Sequence, residues 1–163
     1  MMKIKVKFSF LVFNALLFMF RDAELISAFY IACILHEIGH VTALIFTGGE
    51  LKSIELSSSG IKMHTSPCSS IRDGVFVLLS GPAVNLILYG ILTICGIKGL
   101  LPLFNLAEGL FNLLPYSMLD GGAVLNLIAE GSIYENRLQS IYMVIKIILS
   151  VIILLIMLNM YIL

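Results

Sequence analysis

Residues Leu25–Gly48 read LISAFYIACILHEIGHVTALIFTG and carry a single formal charge, at Glu37. The run is long enough for a helix that crosses the hydrocarbon layer of a bilayer, which takes about 20 apolar residues. His36, Glu37 and His40 lie near its middle, where a charged side chain costs at least ~2.5–3.5 kcal/mol to insert. A polar cluster at that depth indicates a functional site inside a membrane.

The whole chain has the composition of a membrane protein. Its 163 residues are 60% apolar and 12% charged, whereas a soluble domain averages about 45–50% and about 25%. A soluble fold of this length could not bury so much apolar surface. The formal net charge of +0 excludes a general attraction to nucleic acid. The three cysteines are scattered, which excludes a disulfide framework and a thiolate metal site.

Other apolar runs predict about five membrane helices in total. Residues 74–97 lack formal charges, residues 100–130 are interrupted by two acids, Glu108 and Asp120, before they end at Glu130, and residues 138–163 carry one lysine. A shorter run within residues 4–21 is expected to be a tilted first span, because no small-residue cleavage site of a signal peptide precedes Arg21. The fold class is therefore an all-α polytopic membrane protein.

A short polar segment at residues 51–64 predicts a β-hairpin beside the membrane. Ile54 and Leu56, and then Ile61 and Met63, alternate with polar residues on the two sides of a glycine-containing turn, a pattern typical of paired strands. A surface loop is the alternative interpretation. The edge of such a hairpin could pair with an extended peptide.

The spacing of the central cluster matches a metal site. His36 and His40 are four residues apart, so both imidazoles project from one helix face and can bind one ion. Glu37 lies slightly around the helix and can act as a general base without being a ligand. Zinc is the favoured metal, although the affinity order of divalent metals would also admit cobalt. The alternative is a polar cluster that joins neighbouring helices.

Two histidines leave a catalytic zinc site one protein ligand short. His64 lies in the polar segment, so Glu108 and Asp120 are the candidates within apolar runs. Asp120 is favoured because Pro115 removes a backbone donor ahead of it and Gly121–Gly122 loosen the helix beside it. Irregular backbone at membrane depth is tolerated where it lines a cavity, and it could turn this carboxylate toward a metal.

Three motifs together resemble the site-2 protease family of intramembrane zinc metalloproteases. They are His36-Glu37-Ile38-Gly39-His40, Gly81-Pro82-Ala83-Val84-Asn85, and Asn112-Leu113-Leu114-Pro115 followed by Leu119-Asp120-Gly121-Gly122. Their order and spacing are most similar to the bacterial branch that contains stage IV sporulation protein FB. The joint occurrence is much more specific than H-E-x-x-H alone.

The resemblance implies roles for individual residues. It assigns His36, His40 and Asp120 as ligands of one zinc ion per chain and Glu37 as the general base. It gives Asn85 a part in holding the substrate or the developing oxyanion, although an asparagine in a membrane helix can also simply bond a neighbouring helix. The hairpin would correspond to a membrane-associated β element that guides the substrate.

The resulting expectation is one protease domain over residues 1–163, with a family-like core at about 25–130 and extra spans at 4–21 and 138–163. It would be an integral protein of a bacterial cell membrane, and the distribution of basic residues predicts a cytoplasmic N-terminus. The resemblance implies cleavage of a transmembrane segment of a membrane-bound substrate, with sporulation as one candidate process. A regulatory membrane partner is compatible with this reading, and a nucleic-acid partner is not expected.

Two other functions share some of these features. A membrane-embedded zinc protease of another family would typically take a glutamate from a later helix as its third ligand. A non-catalytic metal-binding scaffold or a transporter is the other alternative. A transporter would need a chain of ligands along a path, whereas this sequence offers one compact cluster.

Overall fold

The computed structural model describes residues 3–57, 60–66, 68–130 and 134–162, with side chains up to residue 150. Six helices and three strands follow one another in this part of the chain. In order they are β1 (Lys3–Val6), α1 (Phe8–Phe20), α2 (Ala23–Phe46), β2 (Leu51–Ser57), β3 (Gly60–Thr65), α3 (Ile71–Ile94), α4 (Leu100–Asn112), α5 (Asp120–Ala129) and α6 (Glu135–Ile162).

The fold is mostly helical, and two of its helices have the length and composition of membrane spans. Among the residues with described side chains, these are α2 and α3, of 24 residues each. Helices α1 and α5 are apolar but have only 13 and 10 residues. The predicted count of about five membrane helices is therefore not confirmed. Helix α6 covers the predicted last span, whose course through a membrane stays a prediction.

Residues 100–130, which the sequence suggested as one span, form the two helices α4 and α5. A turn at residues 113–119 separates them. Pro115 has no backbone N–H to continue a helix, and the N–H of Leu119 donates to the carbonyl oxygen of Tyr116 at 2.8 Å, which closes a tight turn. The helix break predicted beside Asp120 is thus present, and it separates α4 from α5 completely.

The predicted hairpin is confirmed, and it belongs to a larger sheet than expected. Strands β2 and β3 pair antiparallel, while β1 pairs parallel with the other edge of β2. The first span predicted from residue 4 is wrong in this respect, because Lys3–Val6 form a strand and the apolar helix begins only at Phe8. The residues of the hairpin turn at 58–59 lie outside the described part.

The register gives the sheet one apolar and one charged face. Ile54 lies opposite Met63, while Glu55 lies between Lys5 on β1 and Lys62 on β3. Alternation along each strand sends these two sets to opposite faces. Lys7, just after β1, places its Nζ 2.7 Å from Oε1 of Glu55. That contact lowers the pKa of Glu55 below its ordinary value.

The backbones of α2 and α3 approach closely at Gly39. A Cβ at this position would lie 2.8 Å from the carbonyl oxygen of Ser80 and 3.1 Å from Cα of Gly81. No L side chain fits at those distances, so glycine permits the approach. Since Gly39 immediately precedes His40, this contact brings the histidine face of α2 against α3.

Candidate active site

His36 and His40 meet at the centre of the structure, as their spacing on α2 predicts. Their Nε2 atoms are 3.0 Å apart, and their rings stand edge to face with centroids 4.6 Å apart. Both side chains are buried, with 5% and 6% of their surface exposed. The histidine pair is therefore held away from bulk solvent.

Asp120 completes this cluster from a different part of the chain. It is the first residue of α5, immediately after the turn at residues 113–119. Its Oδ2 lies 3.0 Å from Nε2 of His36 and 3.2 Å from Nε2 of His40. One ligand atom from each of the three residues lies within 4.8 Å of the others. The structure brings Asp120, and not Glu108, to the two histidines.

The donor set of this cluster fits a divalent metal such as zinc. The carbonyl oxygen of Val77 is 2.7 Å from Nδ1 of His40 and can only accept, so Nδ1 carries the hydrogen. When Nδ1 carries the hydrogen of a neutral ring, the lone pair lies on Nε2 and faces Asp120. A histidine that binds a metal usually has this arrangement, with its other ring nitrogen donating to an outer partner. Two imidazole nitrogens, one carboxylate oxygen and a free position are the donor set of a catalytic zinc site.

Because Gly81 has no side chain, the two imidazole rings have space to meet beside it. A Cβ built there would clash with Nε2 of His40 and would lie 2.8 Å from Nε2 of His36. Any other residue would therefore displace the Nε2 atoms of both histidines. The sequence marked Gly81 through its G-P-x-x-N motif, but its place against the histidines was not predicted.

Two glycines fix the position of Asp120 from the other side. A Cβ on Gly121 would clash with the carbonyl of Leu113, and one on Gly122 would clash with the carbonyl of Tyr116. The expectation was that this glycine pair loosens the helix beside the carboxylate. The structure gives it a different part, because it lets the start of α5 pack directly against the preceding turn.

A cavity of about 700 Å³ opens onto the cluster. Helices α1 and α2 supply aromatic side chains to its wall, and the sheet supplies aliphatic ones. These include Phe10, Phe13, Phe29, Leu56, Ile61 and Met63. Glu37 lines the same cavity as the three clustered residues and is not part of the cluster itself. The geometry therefore offers a carboxylate beside a metal-binding group, in a space lined largely by apolar side chains.

Asn85 lies away from this cavity wall. Its side chain is fully buried, with 0% exposed, and its Nδ2 donates to the carbonyl oxygen of Ala32 at 3.3 Å. Its Oδ1 has no hydrogen-bond partner among the described residues. Ala32 lies one helical turn before His36, so Asn85 joins α3 to the segment of α2 that carries the histidines. The role at substrate or oxyanion implied by the resemblance stays a prediction.

Sequence reasoning did not assign Glu108 to the site. It was only the less favoured candidate for the third ligand, yet it lines the same cavity as Glu37. Its Oε1 accepts a hydrogen bond from Nδ2 of Asn112 at 3.2 Å. The only hint in the sequence was the predicted helix break that follows Asn112. Glu108 precedes Asn112 by one helical turn, so it lies near the end of α4.

Comparisons with known proteins agree with the resemblance drawn from the motifs. The family model described as peptidase family M50 matches residues 97–153. A protein of Synechocystis sp. that is named as a zinc metalloprotease is 37% identical over 111 residues. That match covers 61% of this chain, and the chain spans 29% of the length of this curated relative.

A solved structure is similar over almost the whole chain. The site-2 protease from Methanocaldococcus jannaschii superimposes with a TM-score of 0.68 at 25% sequence identity. The match covers 99% of this chain and 83% of the archaeal chain. The resemblance predicted from the motifs is confirmed at the level of the family, while its bacterial sporulation branch stays a prediction.

Proposed function

We propose that this chain, which belongs to peptidase family M50, the site-2 protease family, is a zinc endopeptidase that cleaves a transmembrane segment of a membrane protein. One observation carries the proposal. His36, His40 and Asp120 converge from two helices that are distant in sequence, at a cavity that also contains Glu37.

In this proposal His36, His40 and Asp120 hold one zinc ion per chain. Zinc in such a site acts as a Lewis acid that polarises a carbonyl group and makes a nearby water more acidic. The protein supplies the rigidity of the ligands. His40 is oriented by the carbonyl of Val77 at 2.7 Å, and Asp120 is fixed by the packing of the glycines that follow it.

Glu37 is the general base of the proposed hydrolysis. Its carboxylate accepts a proton from a water molecule while the water oxygen forms a bond to the scissile carbonyl carbon. The same carboxyl group returns the proton to the amide nitrogen as the carbon–nitrogen bond breaks. Glu37 suits this role because it faces the cavity and forms no ion pair among the described side chains.

Asn85 is proposed as a positioning residue. The contact that supports this role is the 3.3 Å hydrogen bond from its Nδ2 to the carbonyl oxygen of Ala32. Because Ala32 is one turn before His36, the bond helps to fix the register of α2 against α3. An oxyanion role would require this buried amide to turn toward the cavity.

The cavity and the sheet beside it support the proposed substrate class. A transmembrane helix hides its carbonyl groups in i→i−4 hydrogen bonds, so it must unwind locally before cleavage. Strand β3 is one of the two edge strands of the sheet, and Ile61 and Met63 on this strand line the cavity. An unwound segment could pair with this edge by strand addition. Helix-breaking residues in the substrate would favour the same step.

The finer parts of the proposal concern the setting of the enzyme. Residues 1–163 act as one protease domain in a bacterial cell membrane, with the N-terminus in the cytoplasm. The partners are a transmembrane protein substrate, the lipid bilayer and a regulatory membrane protein. Sporulation is the first process to test, because the motifs are most similar to the branch of stage IV sporulation protein FB.

The decisive experiment measures zinc and cleavage in the same detergent-purified preparations. We expect about one zinc per chain in the wild type and in Glu37→Gln, and a strong loss of zinc in Asp120→Ala. Glu108→Ala is the matched control and should retain zinc. Cleavage of a co-expressed single-span substrate should fall about 10²–10⁴-fold in Glu37→Gln.

Two results would contradict this function. Cleavage that survives Glu37→Gln would remove the proposed general base. Zinc that is retained in Asp120→Ala and lost in Glu108→Ala would instead support a membrane zinc protease of another family, which takes a glutamate as its third ligand.

A further inference from the structure

Glu108 is an acid in the cavity that the proposed hydrolysis does not use. It lies on α4, and its Oε1 accepts a hydrogen bond from Nδ2 of Asn112 at 3.2 Å. Sγ of Cys33 on α2 is 4.0 Å from the same oxygen. The other carboxylate oxygen of Glu108 has no hydrogen-bond partner within the described part of the chain. Half of this carboxylate is therefore left for a ligand.

The charges around this carboxylate are not balanced by the protein. The ion pairs of the described side chains are Lys7 with Glu55, and the two histidines with Asp120. Neither Glu37 nor Glu108 takes part in one. Lys62 also lines the cavity, from β3, but it lies beyond ion-pairing distance of both acids. Glu108 is half-buried in a cavity lined largely by apolar side chains, where a carboxylate attracts a cation more strongly than it would in bulk water.

We propose that Glu108 is a specificity-determining residue that receives a basic side chain of the substrate's transmembrane segment. This inference rests on the proposed function. A lysine or arginine combines a long apolar stem with a charged end, and the cavity offers the matching surfaces. Phe10, Phe13 and Phe29 would surround the stem, while Glu108 would pair with the charge.

The contact with Asn112 does not account for the carboxylate by itself. It joins two residues one turn apart on the same helix, and the amide of Asn112 also donates to the main-chain carbonyl oxygen of Glu108 at 3.1 Å. A leucine at position 108 would leave that second bond in place. A ligand that enters the cavity therefore explains the carboxylate of Glu108 better than the stability of α4 does.

The test measures binding of model transmembrane peptides to Glu37→Gln, which cannot turn them over and lacks the other cavity acid outside the proposed metal cluster. Each probe is a fluorescent Leu/Ala peptide of about 24 residues in which one guest residue moves through two central helical turns. We expect the best lysine guest to bind about tenfold more tightly than the methionine guest at the same position. Adding Glu108→Gln should remove this ratio, whereas Glu130→Gln, the same change at the residue that follows α5 and outside this cavity, should keep it.

Charge reversal separates recognition from a structural effect. Glu108→Lys, in the same background, should prefer a glutamate guest to a lysine guest, and the zinc content of each variant reports whether the site is intact. Peptides that fail to bind, or a lysine-to-methionine ratio that Glu108→Gln leaves unchanged, would overturn the inference. Zinc binding and Glu37-dependent cleavage would then still stand, so the two proposals fail separately.

Discussion

Gly81→Ala is the substitution with the sharpest expected effect on the proposed zinc site. The added Cβ would lie 2.6 Å from Cε1 of His40 and 2.8 Å from Nε2 of His36. Ordinary contact needs about 3.4 Å, so each ring must retreat by more than about half an ångström. Zinc–ligand distances tolerate about 0.2 Å. Over-packing of this kind costs about 1–3 kcal/mol, which corresponds to about a 5- to 150-fold loss of zinc affinity.

Gly90→Ala is a matched control on the same helix, because a Cβ at position 90 meets nothing within 4 Å. Both variants and the wild type are purified in detergent, and zinc is titrated against a chelator of known affinity. We expect Gly81→Ala to lose zinc at chelator concentrations that Gly90→Ala and the wild type withstand. Wild-type affinity in Gly81→Ala, or an equal loss in Gly90→Ala, would refute the reasoning.

Three further predictions concern the metal, the turn and the sheet. Removal of zinc by a chelator should lower the Tm of the wild type, because a ligand at 100 times its Kd stabilises the folded state by about 2.7 kcal/mol, and Asp120→Ala should show no such shift. Gly122→Ala places a methyl group against the carbonyl of Tyr116, where main chain cannot yield, so both zinc content and Tm should fall. Lys7→Met should raise the pKa of Glu55, measured by carbon-13 NMR, since Lys7 lowers it. Because the folded-state pKa is lowered, the pair stabilises the sheet above the unfolded-state pKa, and this contribution is lost as the pH falls through the lowered value.

Local patterns in the sequence were sufficient for the parts of the site that lie on one helix or at one break. His36 and His40 meet because four residues make about one helical turn. Asp120 was favoured because Pro115 prevents a continuous helix, and the structure indeed ends α4 before it. These inferences needed only short-range geometry, which a single sequence contains.

Features that depend on two distant segments could not be predicted in the same way. Glu108 was placed in one continuous span over residues 100–130, and that prediction fails because α4 ends at Asn112. Gly81 and Asn85 are four residues apart, so they share a face of α3. No local pattern indicated that this face meets the histidine side of α2.

The sequence pattern of β1 alternates as a strand should, but it is too short to interpret. Residues Lys3–Val6 read KIKV, which alternates between polar and apolar side chains as a strand does. Such a four-residue segment ahead of an apolar run is equally typical of the charged residues that flank a membrane helix. Only the partner strand resolves the ambiguity, and that partner lies on the far side of two helices in the sequence.

The pairing of β1 with β2 constrains when this part of the chain can fold during synthesis. Lys3 lies opposite Ser53, so the ribosome must add about fifty residues before the first strand can find its partner. Helices α1 and α2 are therefore made while β1 is still without its partner. A strand-forming peptide fused ahead of Lys3 would compete with β1 for the free edge of β2.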